Sequence, residues 1–513
     1  MLKSLKNISR ILGIVRTLAH NDLLWLLKDA GIPIGIIKTA HIFIKPKAKG
    51  RPGERLASAL QELGPTFIKF GQALSTRSDL LGEEFAKDLS KLQDNLPPFS
   101  EIEVRTIIEQ EMGIKIEECF SDFTWQSVAA ASIAQVHFAI TMEGEEVAVK
   151  VLRPNIEKAF TQDLALFMWI AKLLESSRPE LRRLKPVEVI EKFEETVRLE
   201  MDFRLEAAAA QELAENFASD KDYKVPNIDW MRTSRRVLTM ERVSGIAIDE
   251  RDVIIQAGHD PDKILIRAAT ILFKQVFRDG FFHADQHPGN LFIGKDGEII
   301  AVDFGIMGRL DRPTRQYIGE MLVRFLERDY SKVAELHFEA GYVPHDKSVH
   351  AFTQACRSIA EPILDKPQNE ISIARLLAHL FQVTKTFEME TQPQLLLLQK
   401  TMLTAEGVGR TLSPEANMWF LAQPLIKDWV DKNMGPETIV LNTVQEVATS
   451  LKRLPIIISN LEKNVVAIKN SGLKLNPDTI RDIIETQKTH KPISSWFYVA
   501  LIIILLILLY TGK

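Results

Sequence analysis

Residues Gly280 to Gly305 read GFFHADQHPGNLFIGKDGEIIAVDFG. Within them, Leu291-Phe292-Ile293 and Ile299-Ile300-Ala301-Val302 are short apolar runs flanking Gly294-Lys295-Asp296-Gly297, the pattern of two buried strands joined by a tight turn. Polar residues stand at both ends of this hairpin. His283-Ala284-Asp285 precedes it, Asn290 follows Asp285 by five positions, and Asp303-Phe304-Gly305 leaves the second strand. Asp, Asn, Gly and Pro are also what turns are made of, so each residue alone reads equally well as structural. The ordered set says more than its members.

In order and spacing, these three pieces resemble the catalytic and metal-binding loops of protein kinases. Phosphoryl transfer asks little covalent chemistry of a protein; it needs magnesium bridging the phosphates, a carboxylate near the attacking oxygen and oxygen ligands for the metal. The resemblance assigns Asp285 to the carboxylate near the nucleophile, and Asn290 and Asp303 to the metal.

Upstream, Val147-Ala148-Val149-Lys150 follows a Gly144-Glu145-Glu146 turn and matches the kinase strand whose lysine grips the phosphates. By itself it is equally an edge strand carrying a protective lysine. Where a kinase has glycines over the phosphates, this chain has Ala129-Ala130-Ala131-Ser132-Ile133-Ala134-Gln135, running into Val136 and His137; methyl groups restrict how closely a backbone can approach. Glu188 to Phe217 is a long Glu-rich helical pattern, from which Glu200 or Glu206 is expected to meet Lys150. A solvated face with intrahelical pairs is the plainer alternative. Val237 to Glu241 is an apolar strand entering a linker at Arg242 to Gly245; a kinase presents backbone groups to adenine here, which by resemblance singles out Met240, Glu241 and Val243, while another core strand is the plainer alternative. Ile264 to Phe277 reads as a core helix. Past Gly305 there is no Ala-Pro-Glu element and no long activation segment, so a docking platform for peptides is not expected. Gly407-Val408-Gly409 does not follow a strand and is no nucleotide fingerprint.

With 513 residues the chain exceeds one ordinary core, and 26% charged with 46% hydrophobic residues are globular values. A net charge of -4 gives no support to nucleic-acid binding. Cys119 and Cys356, the only cysteines, have neither disulfide nor zinc spacing. Residues 1 to 51 carry ten Lys or Arg against two acids, interleaved with apolar residues, which suits either amphipathic helices on anionic lipid or a basic face packed on the body. Leu56, Leu60, Leu63, Phe67 and Ile68 continue with helical spacing, and nothing local distinguishes Lys69 or Gln72 beside them. Trp496 to Tyr510 is uncharged, aromatic at both ends and flanked by Lys491 and Lys513. With the residues beside it, this stretch is long enough to approach the roughly 30 Å of a bilayer core.

Assembled, Lys69-Phe70-Gly71-Gln72, Ala129 to His137, Glu200-Met201-Asp202, Asp285 to Asn290 and Asp303-Phe304-Gly305 resemble the UbiB family of atypical, protein-kinase-like ATPases associated with ubiquinone biosynthesis. That resemblance implies an α+β, bilobal kinase-like fold, with a helical extension over the active site and a C-terminal transmembrane helix. The expected segments are 1–55 basic and amphipathic, 56–125 helical with Lys69 and Gln72, 126–245 small lobe, 246–440 large lobe, 441–491 membrane-proximal and 492–513 anchor. It further implies ATP and Mg2+ as cofactors, Lys69 and Gln72 as gating or catalytic residues, Glu200 and Asp202 in contact with their helix, and Glu206 as partner of Lys150. Ala129 to His137 would line the nucleotide. Anionic membrane lipid, quinone precursors and quinone-biosynthetic enzymes are the implied partners, with no nucleic acid and with a homodimer left open. The implied location is the bacterial inner membrane, with the catalytic body in the cytoplasm. A small-molecule or lipid kinase and a nucleotide-sensing scaffold without turnover are the alternatives.

Overall fold

Strand alternation around Lys150 builds the first sheet in this computed structural model, which describes residues 10, 13–24, 50–75, 83–89, 92, 97–177, 186–362, 379, 382–384, 386–389, 392–415 and five positions between 424 and 430. Ala134–Thr141 (β3) and Glu146–Leu152 (β4) pair antiparallel; Phe120–Phe123 (β1) and Ala129–Ala130 (β2) pair with β3, and Val237–Glu241 (β6) with β4. The sheet therefore starts at Phe120, ahead of residue 126. Val136 lies opposite Lys150, and Lys150 opposite Leu238. Because successive side chains alternate faces, Val136, Ala148, Lys150, Leu238 and Met240 share one face. Gln135, His137, Val147, Val149, Val151 and Val237 share the other.

The second face is covered by helix Glu101–Met112 (α3), whose Val104, Ile107 and Ile108 are buried with Val147, Val149 and Val151. Toward the first face pack helices Ile156–Ser177 (α4), Pro186–Glu200 (α5) and Phe203–Asn216 (α6). Phe160, Phe203, Leu152 and Leu238 are fully buried here, each worth roughly 1.5–3 kcal/mol of apolar transfer. The expected single helix from Glu188 to Phe217 is thus two. Asp202 is the reason: its carboxylate accepts from the Arg204 N–H and caps α6, while the Phe203 N–H bonds the Arg235 carbonyl.

Pro52–Leu63 (α1) and Pro65–Ser75 (α2) break at Gly64, whose φ of 103° suits glycine. They join the same core, with Phe67 edge-on to Phe167 at 4.9 Å and Phe70 to Phe193 at 5.2 Å. Of the basic segment, Leu18, Ala19, Leu23 and Leu24 are buried against Ala59, and Arg10 pairs with Asp163 at 2.8 Å. The described part of that segment spends its apolar face on protein rather than leaving it for lipid.

In the larger lobe the expected hairpin forms: Leu291–Ile293 (β9) pairs antiparallel with Ile299–Ala301 (β10), Ile299 opposite Ile293. Tyr223–Lys224 (β5) adds parallel to β10, and Ile246–Ala247 (β7) antiparallel to β9. Phe281–His283 (β8) pairs antiparallel with Met307–Arg309 (β11), a strand that no local alternation announces. Helices Pro261–Phe273 (α7), Arg312–Leu326 (α8), Tyr330–Glu339 (α9), Val349–Ala360 (α10) and Pro393–Leu412 (α11) complete the lobe. Gly407-Val408-Gly409 lies inside α11. The expected membrane-proximal segment and the anchor at 492–513 fall outside the described residues. Among those described, no helix is long and apolar enough to cross a membrane.

Candidate active site

Lys150 leaves the site-facing side of β4 and meets two carboxylates. Its Nζ lies 2.8 Å from Glu206 Oε1 on α6 and 3.2 Å from Asp303 Oδ1 at the end of the hairpin. Burial works against this ammonium, but Asp303 and Glu206 raise its pKa on balance, so it stays charged. Desolvation likewise pulls the Asp303 carboxyl upward; the ammonium groups of Lys150 and Lys69 outweigh it and hold Asp303 at about 2. Glu206 is pushed up, by desolvation first, with Lys150 opposing and the Asp303 charge adding. Asp303 has a φ of 62°, a left-handed backbone uncommon for a non-glycine residue and met mostly where a site requires it. Phe304 turns inward and is buried with Ala210 and Leu213 of α6, so the helix carrying Glu206 bears directly on the segment carrying Asp303.

His283 ties the two loops together. Buried and held neutral by desolvation, it accepts the Asp285 N–H at Nδ1 (3.2 Å) and donates from Nε2 to the Val302 carbonyl (3.2 Å). The Val302 N–H in turn bonds the Asn290 carbonyl at 2.9 Å. Asn290 donates its side-chain Nδ2 to the Asp285 carbonyl at 3.0 Å, which leaves the amide oxygen to accept or to ligate. Asp285 Oδ1 lies 3.2 Å from Lys400 Nζ on α11.

Above this floor, Lys69 on α2 pairs with Glu200 at 3.2 Å. Gln72 reaches the Leu92 carbonyl at 3.5 Å. Asp202 was expected beside Glu200 in this contact; its carboxylate instead grips Arg204 at 2.7 and 2.9 Å and caps α6. Gly71 is the close-packed point: Leu60 and Leu92 occupy the space a Cβ would fill.

The alanine-rich segment divides by face. Ala131 closes a turn onto the Ala134 carbonyl at 2.7 Å, and Arg153 braces it, donating to the carbonyls of Ala131 (3.2 Å) and Pro97 (3.0 Å). Ala129 is exposed, Ala130 and Val136 half-buried, and Ser132, Ile133 and Ala134 buried. Gln135 and His137, expected to line a nucleotide, do not share the face of Lys150. They lie on the α3 side of the sheet, where Gln135 bonds both the N–H (2.9 Å) and the carbonyl (3.3 Å) of Phe99, and His137 bonds the Thr124 carbonyl at 2.9 Å. At the linker, Met240 shares the face of Lys150, whereas the Glu241 side chain turns to Lys224 and Asn227; Val243 is half-buried.

The donor set fits magnesium and phosphate. Magnesium takes hard oxygens, commonly one or two carboxylates completed by phosphates and water; here an ionised Asp303 stands beside a charged lysine, and Asn290 is hydrogen-bonded to Val302, the residue before Asp303. Among the described residues no group of three His, Cys, Asp or Glu could hold a metal alone. Sequence reasoning missed Lys400 and Arg153. Neither sits in a recognisable local pattern; Lys400 meets a residue 115 positions away.

Residues 91–337 match the ABC1 atypical kinase-like domain, and residues 356–417 match the UbiB helical domain. Among curated proteins, "Probable protein kinase UbiB" of Marinobacter nauticus is 43% identical over 436 residues, covering 84% of this chain and 79% of that protein. Its namesake in Azotobacter vinelandii is 44% identical over 76% of this chain and 73% of its own. Among solved structures, the Rv3197–erythromycin complex from Mycobacterium tuberculosis aligns with a TM-score of 0.52 and 26% identity, covering 72% of this chain and 95% of that one.

Proposed function

This chain belongs to the UbiB family, an ABC1 atypical kinase-like domain followed by a UbiB helical domain, and on that premise we propose that it binds and hydrolyses magnesium-ATP in support of ubiquinone biosynthesis at a bacterial membrane. The observation that carries the reading is Lys150 held between Glu206 and Asp303, with Asp285 and Asn290 hydrogen-bonded in the adjoining loop. This is the assembled lysine–glutamate arrangement that kinase-like chemistry depends on.

Lys150 would hold the α- and β-phosphates, and Glu206 keeps it extended. Asp303 and Asn290 would hold magnesium, which when bound supplies charge neutralisation to the phosphates. Asp285 would position the attacking water, or the hydroxyl of an acceptor, and accept its proton. His283 fixes the loop through two hydrogen bonds without carrying charge. The pairing of Lys69 with Glu200 supports a lid formed by α2, which favours water or a small acceptor over a peptide. Quinone precursors, biosynthetic enzymes of the membrane and anionic lipid are the partners in keeping with the family. The helical extension, small lobe and large lobe would follow the divisions expected from the sequence, except that the small lobe begins at Phe120 rather than at residue 126.

Asp303→Asn tests it. Magnesium-ATP turnover is expected to fall about 100-fold or more, since the metal carboxylate supplies several kcal/mol. Circular dichroism and the unfolding midpoint should stay close to wild type. Undiminished turnover would remove the metal role.

A further inference from the structure

Lys400 and Thr401 are neighbours on α11, and both reach the loop that carries Asp285. Thr401 is fully buried and shares its hydroxyl between the Leu397 carbonyl (2.8 Å) and the Ala284 carbonyl (3.3 Å). One turn back, Leu398 is buried with Phe282 and Ala284. The helix is therefore seated on the loop by apolar packing and by a buried hydrogen bond, which fixes where the next side chain can go. Lys400 Nζ lies 3.2 Å from Asp285 Oδ1.

An ammonium has three donors, and Asp285 takes one. The Lys400 side chain keeps 36% of its surface, so the others are open to a ligand. The neighbouring lysines are otherwise engaged: Lys150 with Glu206 and Asp303, Lys69 with Glu200. The chain also passes from Gly305 to the Asp311 cap of α8 through a single short strand. No long segment intervenes there to bring a cation to Asp285 from that side.

We propose that Lys400 contacts the terminal phosphate of bound ATP, so that the C-terminal helical segment completes the active site beside Asp285. This rests on the magnesium-ATP reading above. A lysine at the Asp285 end of the site, with Lys150 at the other, touches the one phosphate that distinguishes ATP from ADP. During transfer the charge of that group is spread over its three equatorial oxygens, and a fixed ammonium donating to one of them stabilises it without reorganising. No bond to Lys400 forms or breaks; it donates hydrogen bonds only.

The test is competition binding with the full-length chain, displacing a fluorescent nucleotide with MgATP and with MgADP. Lys400→Met is expected to weaken MgATP about tenfold, the worth of one charged hydrogen bond, while MgADP stays within about twofold. Lys400→Arg keeps the charge and should restore MgATP affinity to within about threefold. Retained MgADP binding also reports that the variant is folded; should Lys400→Met fail to fold, Lys400→Gln takes its place with the same expectation. Equal loss of both nucleotides, or loss of neither, overturns the Lys400 assignment while leaving the site reading intact. A wild-type chain that binds neither nucleotide in a magnesium-dependent way overturns the underlying reading and the assignment with it.

Discussion

Glu206→Gln removes one negative charge from a place where water cannot replace it. The Glu206 side chain is 6% exposed and the Lys150 side chain 13%. Two carboxylates share one ammonium here, at 2.8 and 3.2 Å, and burial raises the Glu206 pKa. The fold therefore disfavours the charge on Glu206, while the phosphate site depends on it. Glutamine keeps the shape and an acceptor oxygen, and relieves the desolvation of a carboxylate. Stability should then change by no more than about 1 kcal/mol. The site fares worse, because Lys150 is left with Asp303 as its charged partner and competes with magnesium for it. Exchanging a charge-assisted bond for a neutral one removes about 1.4 kcal/mol of positioning, or about tenfold in MgATP affinity. Denaturant unfolding and nucleotide titration, run on wild type, Glu206→Gln, Lys150→Met and the double variant, separate the two effects. In the binding cycle the pair should couple by about 1 kcal/mol or more. Loss of about 3 kcal/mol in stability with MgATP affinity unchanged would refute the reasoning, making Glu206 a support of the core instead.

Gly71→Ala would drive a methyl group into Leu92 and to 2.6 Å from Leu60, costing about 1–3 kcal/mol of overpacking; limited proteolysis of α2 should speed up, and unchanged cleavage would contradict the packing. The buried imidazoles of His137 and His283 and the half-buried one of His337 all have pKa values lowered from 6.5, by desolvation first. The unfolded chain binds those protons first, so their contribution to stability is present above pH 6.5 and lost as pH falls below it. Each should add a slope of up to about 1.4 kcal/mol per pH unit. Denaturant midpoints measured from pH 7.5 down to 5.5 should fall, with a smaller fall in His283→Gln; a flat profile would contradict neutral histidines.

The hairpin at 291–301 and the strand ending in Lys150 were legible because alternation and tight turns are local properties, read within a few residues. The pairing of Glu206 rather than Glu200 with Lys150 came from the family resemblance, since both acids sit in one Glu-rich pattern. That same pattern concealed the break at Asp202: apolar spacing runs through it, and a cap is formed by one side chain turning back on its own backbone. Gln135 and His137 looked like part of a nucleotide loop because they adjoin it in sequence. Their true direction is set by register, which puts Val136 with Lys150 and its neighbours on the opposite face. Strand β11 was hidden for a related reason, as its pairing partner lies across the site at Phe281 to His283. Lys400 had no local signal at all; a lysine in a leucine-rich helix acquires meaning only when that helix is laid on the loop of Asp285.

The most direct measurement is calorimetric titration of ATP, with and without magnesium, into the wild-type chain and into Asp303→Asn. Magnesium should tighten ATP binding at least about tenfold in the wild type, and Asp303→Asn should erase that gain while retaining the weaker, metal-free binding. An equal magnesium dependence in both proteins would contradict the assignment of Asp303, and with it the account of this site.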